Sequence, residues 1–384
     1  MTTPVYLDHQ STTPTDPRVL EAMLPFLGAR FGNPASGHAF GWEAAEAVER
    51  ARAAVASAIG ARSEEIVFTS GATESDNLAL FGVAEAAERG DHVVVGATEH
   101  RAVLDPARSL AGRGIQATVL PVDSMGRIDA ADVDRAIRPQ TLLVSLMAAN
   151  NEVGTLHPLH EIGRITRSRG VLFHSDAAQA LGRIPIDVDA MGLDLVSLTA
   201  HKIHGPKGVG ALYVRREPPV DLTPILHGGG HERALRSGTL NVPGIVGFGA
   251  AVEIALRVMK EEVHRMRSLC DRLLQLLRAA PGGVEMNGPL TRRLPNNLNL
   301  CFEGVEGEAL VASLPDVALS TGSACATARG EPSHVLLALG LPRERIRTAV
   351  RIGCGRFSTE EEIDYAALRI AEEVRRLRGI SAGQ

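Results

Sequence analysis

The sequence predicts an α/β fold: a large domain on a mostly parallel, seven-stranded sheet, and a smaller α+β domain at the C-terminal end. Three observations carry this. Between residues 43 and 256, helix-periodic segments alternate with short apolar runs rich in β-branched residues, the pattern of strands buried on both faces and joined by crossover helices. The chain has 384 residues, more than one hydrophobic core ordinarily organises. After Pro281-Gly282-Gly283 the alternation gives way to a mixed pattern. The expected division is 15–256 for the large domain, and 1–14 with 257–384 for the small one.

In chain order, helical periodicity over 43–60 precedes an apolar run at 65–69 and a second helical segment over 74–89. Strands are expected at 92–96, 117–121, 142–146, 171–174, 195–199 and 210–214. A long helix follows over 244–280, stopped by the Pro-Gly-Gly tripeptide. The smaller domain has strand-like runs at 298–302 and 318–320, with helices at 332–340 and 359–378. The first dozen residues are expected to pack with it. Sheets of this kind bind ligands at the carboxyl ends of their strands, and the polar motifs of this chain fall there.

Composition excludes several function classes. Hydrophobic residues make up 45% and charged ones 22%, ordinary for a globular protein, and the formal net charge is -5. No basic stripe suggests a nucleic-acid partner; the Arg-rich stretches 343–351 and 369–378 read as solvated helix faces. No apolar run reaches membrane length, and the N-terminal residues lack the basic and apolar regions of a signal peptide, so a cytoplasmic protein without a membrane partner is expected. Cys270, Cys301, Cys325 and Cys354 form no C-x-x-C pair, which argues against a disulfide framework and an all-protein zinc site.

The chemistry concentrates at strand ends. Lys202 follows the apolar run 193–198 just before a Gly-Pro turn, while Asp176 ends the run 171–176 with Gln179 three residues on. A lysine and a carboxylate on adjacent strand ends suit pyridoxal 5'-phosphate (PLP): the lysine holds the cofactor as a Schiff base and the acid pairs with the pyridine nitrogen. The alternative for Asp176 is a helix N-cap. Phe68–Ser75 reads as strand, glycine turn and helix, and a helix N-terminus binds phosphate, with the Ala72 amide and Thr73 as donors; the alternative is a plain capping box. His100 follows the strand ending near Gly96 and could stack on a flat cofactor and titrate near neutrality. A surface or capping role is preferred for His9, His38, His92, His157, His160 and His264.

Asn150-Asn151 is either a turn former or an amide directed at the cofactor's phenolic oxygen. Thr199 and His201 flank Lys202 so that both could reach a phosphate. Thr239, in Arg236-Ser237-Gly238-Thr239, is another candidate donor. The small, polar run 320–330 reads as a mobile loop, about 321–332, carrying the thiol of Cys325; the other three cysteines read as small buried hydrophobes. Arg351, in an apolar, strand-like setting, wants a carboxylate partner, from the substrate or from an internal Asp or Glu.

At Tyr6-Leu7-Asp8, Phe31-Gly32-Asn33-Pro34, 68–77, Glu99-His100, 150–154, 174–179, 200–210, 236–241, Ser323-Ala324-Cys325 and 332–336, the chain resembles the cysteine desulfurases. These are a branch of the class V aminotransferase family with the PLP-dependent transferase fold type I. The stretch from Cys325 to Pro332 resembles their group I members, which carry the catalytic cysteine on a long loop. The resemblance implies conversion of L-cysteine to L-alanine, with sulfur passing to Cys325 as a persulfide for iron–sulfur cluster assembly or another sulfur-transfer pathway. It implies that Lys202 binds PLP, Asp176 pairs with the pyridinium nitrogen, Gln179 with the phenolic oxygen, and His100 stacks on the ring and shuttles protons. Ala72, Thr73, Thr199 and His201 would hold the phosphate, with Thr239 reaching in from the partner subunit of a homodimer. Asn151 and Arg351 would bind the substrate carboxylate, Asn151 also touching the cofactor. No intrinsic metal is implied, although Cys325 could transiently ligate an iron–sulfur cluster, and the sulfur acceptor would be a protein such as an iron–sulfur scaffold.

The sequence departs from the family's pattern at His9-Gln10-Ser11, at Thr199 where Ser is usual, and at Gly353-Cys354 where Ser and a larger apolar residue are expected. A selenocysteine lyase or class V aminotransferase on the same fold is the alternative enzyme, and a sulfur-relay scaffold the alternative from another class.

Overall fold

The computed structural model describes residues 4–88, 90–322 and 332–382. Its strands are β1 (Val5–Tyr6), β2 (Ile66–Thr69), β3 (His92–Gly96), β4 (Gln116–Leu120), β5 (Thr141–Ser145), β6 (Leu172–Asp176), β7 (Leu195–Thr199), β8 (Gly210–Val214), β9 (Val284–Met286), β10 (Asn297–Phe302), β11 (Val317–Ala318) and β12 (Ala349–Gly353). The helices are α1 (Pro17–Leu27), α2 (Ala39–Ser57), α3 (Ala72–Ala86), α4 (Arg101–Ser109), α5 (Ala130–Ala136), α6 (Leu159–Arg169), α7 (Val242–Ala279), α8 (Gly307–Ala312), α9 (His334–Ala338), α10 (Arg343–Arg347) and α11 (Glu360–Ala382).

Seven strands form one sheet in the order β2-β8-β7-β6-β5-β3-β4. Alternate residues of these strands enter two different cores, as the period of two requires. Val94, Val144, Phe173, Val196, Leu198 and Tyr213 face a core shared with α2, α6 and the first half of α7. Val93, Val95, Leu143, Leu195 and Leu212 face a core shared with α3 and α4. Helices on both faces explain why the strands are continuously apolar.

Only β8 runs against its neighbours: it pairs antiparallel with both β2 and β7. Two reversals cancel, so β2 emerges parallel to β7 and the other strands. The carboxyl ends of β2, β3, β5, β6 and β7 therefore share one edge of the sheet. The turn after β2 fits there because Gly71 approaches Gly210 closely; a Cβ on Gly210 would lie 2.6 Å from Gly71 Cα.

A three-stranded antiparallel sheet, β12-β10-β9, and the short parallel pair β1 and β11 make the second layer system. Leu298, Leu300, Phe302, Val350 and Ile352 pack there with Leu269 and Leu273 of α7 and Ile363, Ile370 and Val374 of α11. Asn241 caps the start of α7 by accepting from Gly244 N. This helix, ~57 Å long at ~1.5 Å per residue, buries residues up to Ala255 in one core and from Leu269 in the other. It is apolar and long enough to cross a membrane, but those residues are occupied in packing. The Arg-rich stretch 343–351, expected as one solvated helix face, instead divides into α10 and the buried strand β12.

Candidate active site

The strand ends surround a cavity of about 270 Å³. Ten of the residues singled out in the sequence line it: Ala72, Thr73, His100, Asn151, Asp176, Gln179, Thr199, His201, Lys202 and Arg351. Gln10, Ser11, Met147, Ala149 and Ala178 complete the wall. A larger cavity of about 650 Å³ lies between residues 121–132 and the start of α6 and contains none of these groups; chemistry, not size, identifies the smaller one. Thr239 is exposed and lies outside the cavity lining. Cys325 lies outside the described residues.

At one end, α3 begins at Gly71 without any side-chain cap, so the capping-box alternative for Thr73 fails. The uncapped first turn points at the cavity through Ala72 and Thr73. Opposite, Thr199 Oγ1 is buried without a hydrogen-bond partner among the described residues. A phosphate there would satisfy both, since a helix N-terminus offers free N–H groups and a favourable dipole. The donor set fits the phosphate of PLP. Glu74 of α3 is fixed by Arg236 at 2.8 Å.

At the other end, Asp176 ends β6 in register with Ser197 of β7. Its Oδ1 accepts from Ala178 N at 2.9 Å, a local turn rather than a helix cap. Burial pushes its carboxyl up, while His100 and Lys202 pull it down. A cation in the cavity would stabilise the ionised form, which is what a pyridinium nitrogen supplies. Glu99, fully buried and holding Met147 N at 2.9 Å, is raised well above the carboxylate range by burial.

Lys202 is one of three lysines, with Lys207 and Lys260, and the one that lines the cavity. Its Nζ donates to the carbonyls of Gln10 and of Ser11, the latter at 2.7 Å. Burial, with Arg351 and Arg183 adding repulsion, lowers its ammonium to about 7. His100 caps α4 by accepting from Ala102 N at 3.1 Å through Nδ1, so in the neutral ring Nε2 carries the proton. Burial keeps that ring neutral-leaning. His201 bonds Thr12 Oγ1 at 3.1 Å, and burial lowers it to about 4. Gln179 donates to Gln10 O at 3.0 Å and accepts from Arg183 at 3.0 Å, which fixes its amide orientation.

Arg351, on β12, is 1% exposed and has an internal carboxylate partner: Nη2 donates to Asp8 Oδ1 at 2.8 Å and to Ser11 Oγ at 2.6 Å. Its Nε is buried without a partner among the described residues. Three histidines read as surface or capping groups are instead buried: His9, His92 and His157. His92 sits between Thr141 and Thr118, both at 2.8 Å, and burial lowers His9 and His157 to about 4. No local pattern signals this burial, because the partners, such as Thr118 and Thr141 for His92, are distant in the chain. His38 does cap α2, accepting from Gly41 N.

Known proteins resemble this chain over nearly its whole length. The model of the aminotransferase class-V family matches residues 5–366. "Cysteine desulfurase IscS" of Anaeromyxobacter dehalogenans (strain 2CP-C) is 54% identical over 383 residues, spanning 99% of this chain and 95% of that protein. Among solved structures, a "NIFS-LIKE PROTEIN" superposes with a TM-score of 0.91 at 39% identity, covering 97% of this chain and 100% of the other. "SspA in complex with cysteine" superposes with a TM-score of 0.79 at 35% identity, covering 92% and 100%.

Proposed function

The chain belongs to the class V aminotransferase family, and from that premise we propose how its residues carry out the work of a PLP-dependent cysteine desulfurase. The enzyme converts L-cysteine to L-alanine and passes the sulfur to an enzyme cysteine as a persulfide. The observation that carries the site assignment is the convergence of Lys202, Asp176 and the uncapped start of α3 on one cavity.

Bound PLP supplies an electron sink that acidifies the substrate Cα and weakens the Cβ–S bond. The start of α3 with Thr199 and His201 holds the phosphate end. Asp176, ionised against the ring nitrogen, fixes the opposite end, and Gln179 and Asn151 flank the ring. Lys202, lowered to about 7, presents a substantial neutral-amine fraction at physiological pH, as a nucleophilic lysine must. His100 holds a proton at Nε2 and hands it to a neighbour in the cavity. Arg351 and Asn151 receive the substrate carboxylate. The Cys325 sulfur forms an S–S bond with the substrate sulfur as the Cβ–S bond breaks; the hydrogen lost from the thiol is recovered in alanine.

The proposed division of the chain, 15–256 against 1–14 with 257–384, is supported by the passage of α7 from one core to the other between Ala255 and Leu269. The homodimer is supported by an uncovered apolar face: Leu20, Leu24 and Leu27 on α1 are 48%, 56% and 62% exposed, and Phe31 and Trp42 nearby 72% and 65%. A monomeric surface rarely exposes such a patch. Exposed Thr239 would then serve the partner's phosphate end. The acceptor of the persulfide is proposed to be a cytoplasmic protein, such as an iron–sulfur scaffold, with Cys325 a transient cluster ligand.

The test is turnover of L-cysteine with dithiothreitol, wild type beside Cys325→Ala. Equal alanine and sulfide that require Cys325 support this account. Turnover indifferent to Cys325 moves the enzyme to the selenocysteine lyase or aminotransferase reading.

A further inference from the structure

Gln10 and Gly353, from two segments that depart from the pattern the resemblance implies, occupy adjoining space: a Cβ on Gly353 would meet the Gln10 amide. Arg351 and Gly353 are two residues apart on β12 and so share a face. At Gly353 the strand holds the N-terminal segment: Gly353 N donates to Leu7 O at 2.7 Å, and His9 N to Gly353 O at 3.4 Å. Any Cβ on Gly353 would overlap Gln10 Oε1 and sit 2.5 Å from its Cδ and 2.9 Å from its Nε2. The Gln10 amide thus occupies the volume that a side chain at 353 would take.

That amide is trapped. Gln10 is 1% exposed, and Nε2 donates to Asn296 O at 2.9 Å. Its Oε1 is buried without a hydrogen-bond partner among the described residues, and Gln10 also lines the cavity. The segment it anchors contacts both cations of the site. The Gln10 and Ser11 carbonyls accept from Lys202 Nζ, the Gln10 carbonyl also accepts from Gln179 Nε2, and Asp8 and Ser11 hold Arg351.

We propose that Gln10 and Gly353 are a matched pair of positioning residues, the amide filling the glycine's gap so as to fix residues 8–11 and, through them, the aim of the Arg351 guanidinium and the Lys202 amine. For its kinetic consequence the proposal rests on the reading of Arg351 as the substrate-carboxylate site. Neither residue takes part in the chemistry.

The experiment compares PLP-loaded wild type, Gly353→Ser, Gln10→Ser, the double variant and Arg351→Lys. It measures L-cysteine kinetics, the pH midpoint of the bound cofactor's visible absorbance, and melting. Gly353→Ser should raise KM about 10-fold, change kcat less than about 3-fold, and displace the midpoint. Adding Gln10→Ser should return KM to within about 3-fold of wild type and restore the midpoint, because contacting residues couple. If Gly353→Ser does not fold, a folded double variant with near wild-type melting gives the same support. Unchanged kinetics and midpoint in Gly353→Ser overturn the pairing, as does a double variant as impaired, or as unfolded, as the single. If Arg351→Lys leaves KM unchanged, the carboxylate reading fails instead, and rescue of the midpoint and melting still decides the pair.

Discussion

The two walls of the cavity are finished differently. On the wall made by the large sheet, polar groups are left open: Thr199 Oγ1 has no partner among the described residues, α3 starts uncapped, and burial raises the Asp176 carboxyl. On the wall made by β12 and the N-terminal segment, the protein supplies partners for both cations, leaving Arg351 Nε and Gln10 Oε1 unpaired among the described residues. Arg351 is held by Asp8 and Ser11, and Lys202 by two backbone carbonyls. Unmet buried groups are costly, so the first wall is made for a group that arrives once and stays. The second suits ligands that enter and leave each turnover, because its cations keep partners in between.

The largest effect expected from breaking this arrangement is at the junction of the walls. Lys202→Ala should lower alanine formation from L-cysteine by roughly 10³-fold or more, and activity near wild type would remove Lys202 from the chemistry. On the first wall, Asp176→Asn should cost roughly 10²-fold in kcat, since a neutral amide cannot hold a charged ring nitrogen; steady-state kinetics across pH give the answer. On the second, Arg351→Lys loses the fork geometry and should cost roughly 10- to 10²-fold in kcat/KM, carried mostly by KM. An equal loss in kcat would shift Arg351 from binding toward the chemistry.

A subtler substitution sharpens the contrast by its sign. Thr199→Val removes a hydroxyl that lacks a partner until phosphate arrives. It should weaken PLP binding by roughly 3- to 10-fold in an equilibrium titration, while leaving the melting temperature of the cofactor-free protein unchanged or slightly raised. A marked drop in that melting temperature would show the hydroxyl already paired.

A further test is a pH dependence. Lys202 falls from its ordinary 10.5 to about 7 in the folded, cofactor-free protein. Between those values the unfolded chain binds the extra proton, so this group makes stability rise with pH from about 7 to 10.5. The rate of PLP attachment to the cofactor-free protein should likewise rise through pH 7 as the neutral amine accumulates. An attachment rate that keeps rising toward pH 10.5 instead of levelling above pH 7, with stability flat over the same range, would show that Lys202 keeps an ordinary amine.

Much of the first wall, with Lys202 at the junction, was legible in the sequence, because each of these residues follows a strand whose apolar run can be read locally. Lys202, Asp176, His100 and Thr73 all lie within a few residues of such an end. The second wall was less so. Arg351 left two partners open, substrate or internal acid, and Asp8 proves to be the internal one at a separation that no local pattern spans. The burial of His9, His92 and His157 depends on strands brought together only by the fold. Gln10 and Gly353 were visible as departures, but nothing in the chain order indicated that they fill one volume. Similarly, the Arg-rich segment 343–351 reads as a helix face running into a strand-like setting at Arg351, and only the pairing of β12 with β10 shows where one ends and the other begins.

The most direct measurement is to load the protein with PLP, reduce it with borohydride, and map the labelled lysine by peptide mass spectrometry. With three lysines in the chain the outcome is discrete. Label on Lys202 alone, lost in Lys202→Ala, is the expected result. Label on Lys207 or Lys260, or none on a protein that still turns over L-cysteine, would contradict the assignment of this cavity as the active site.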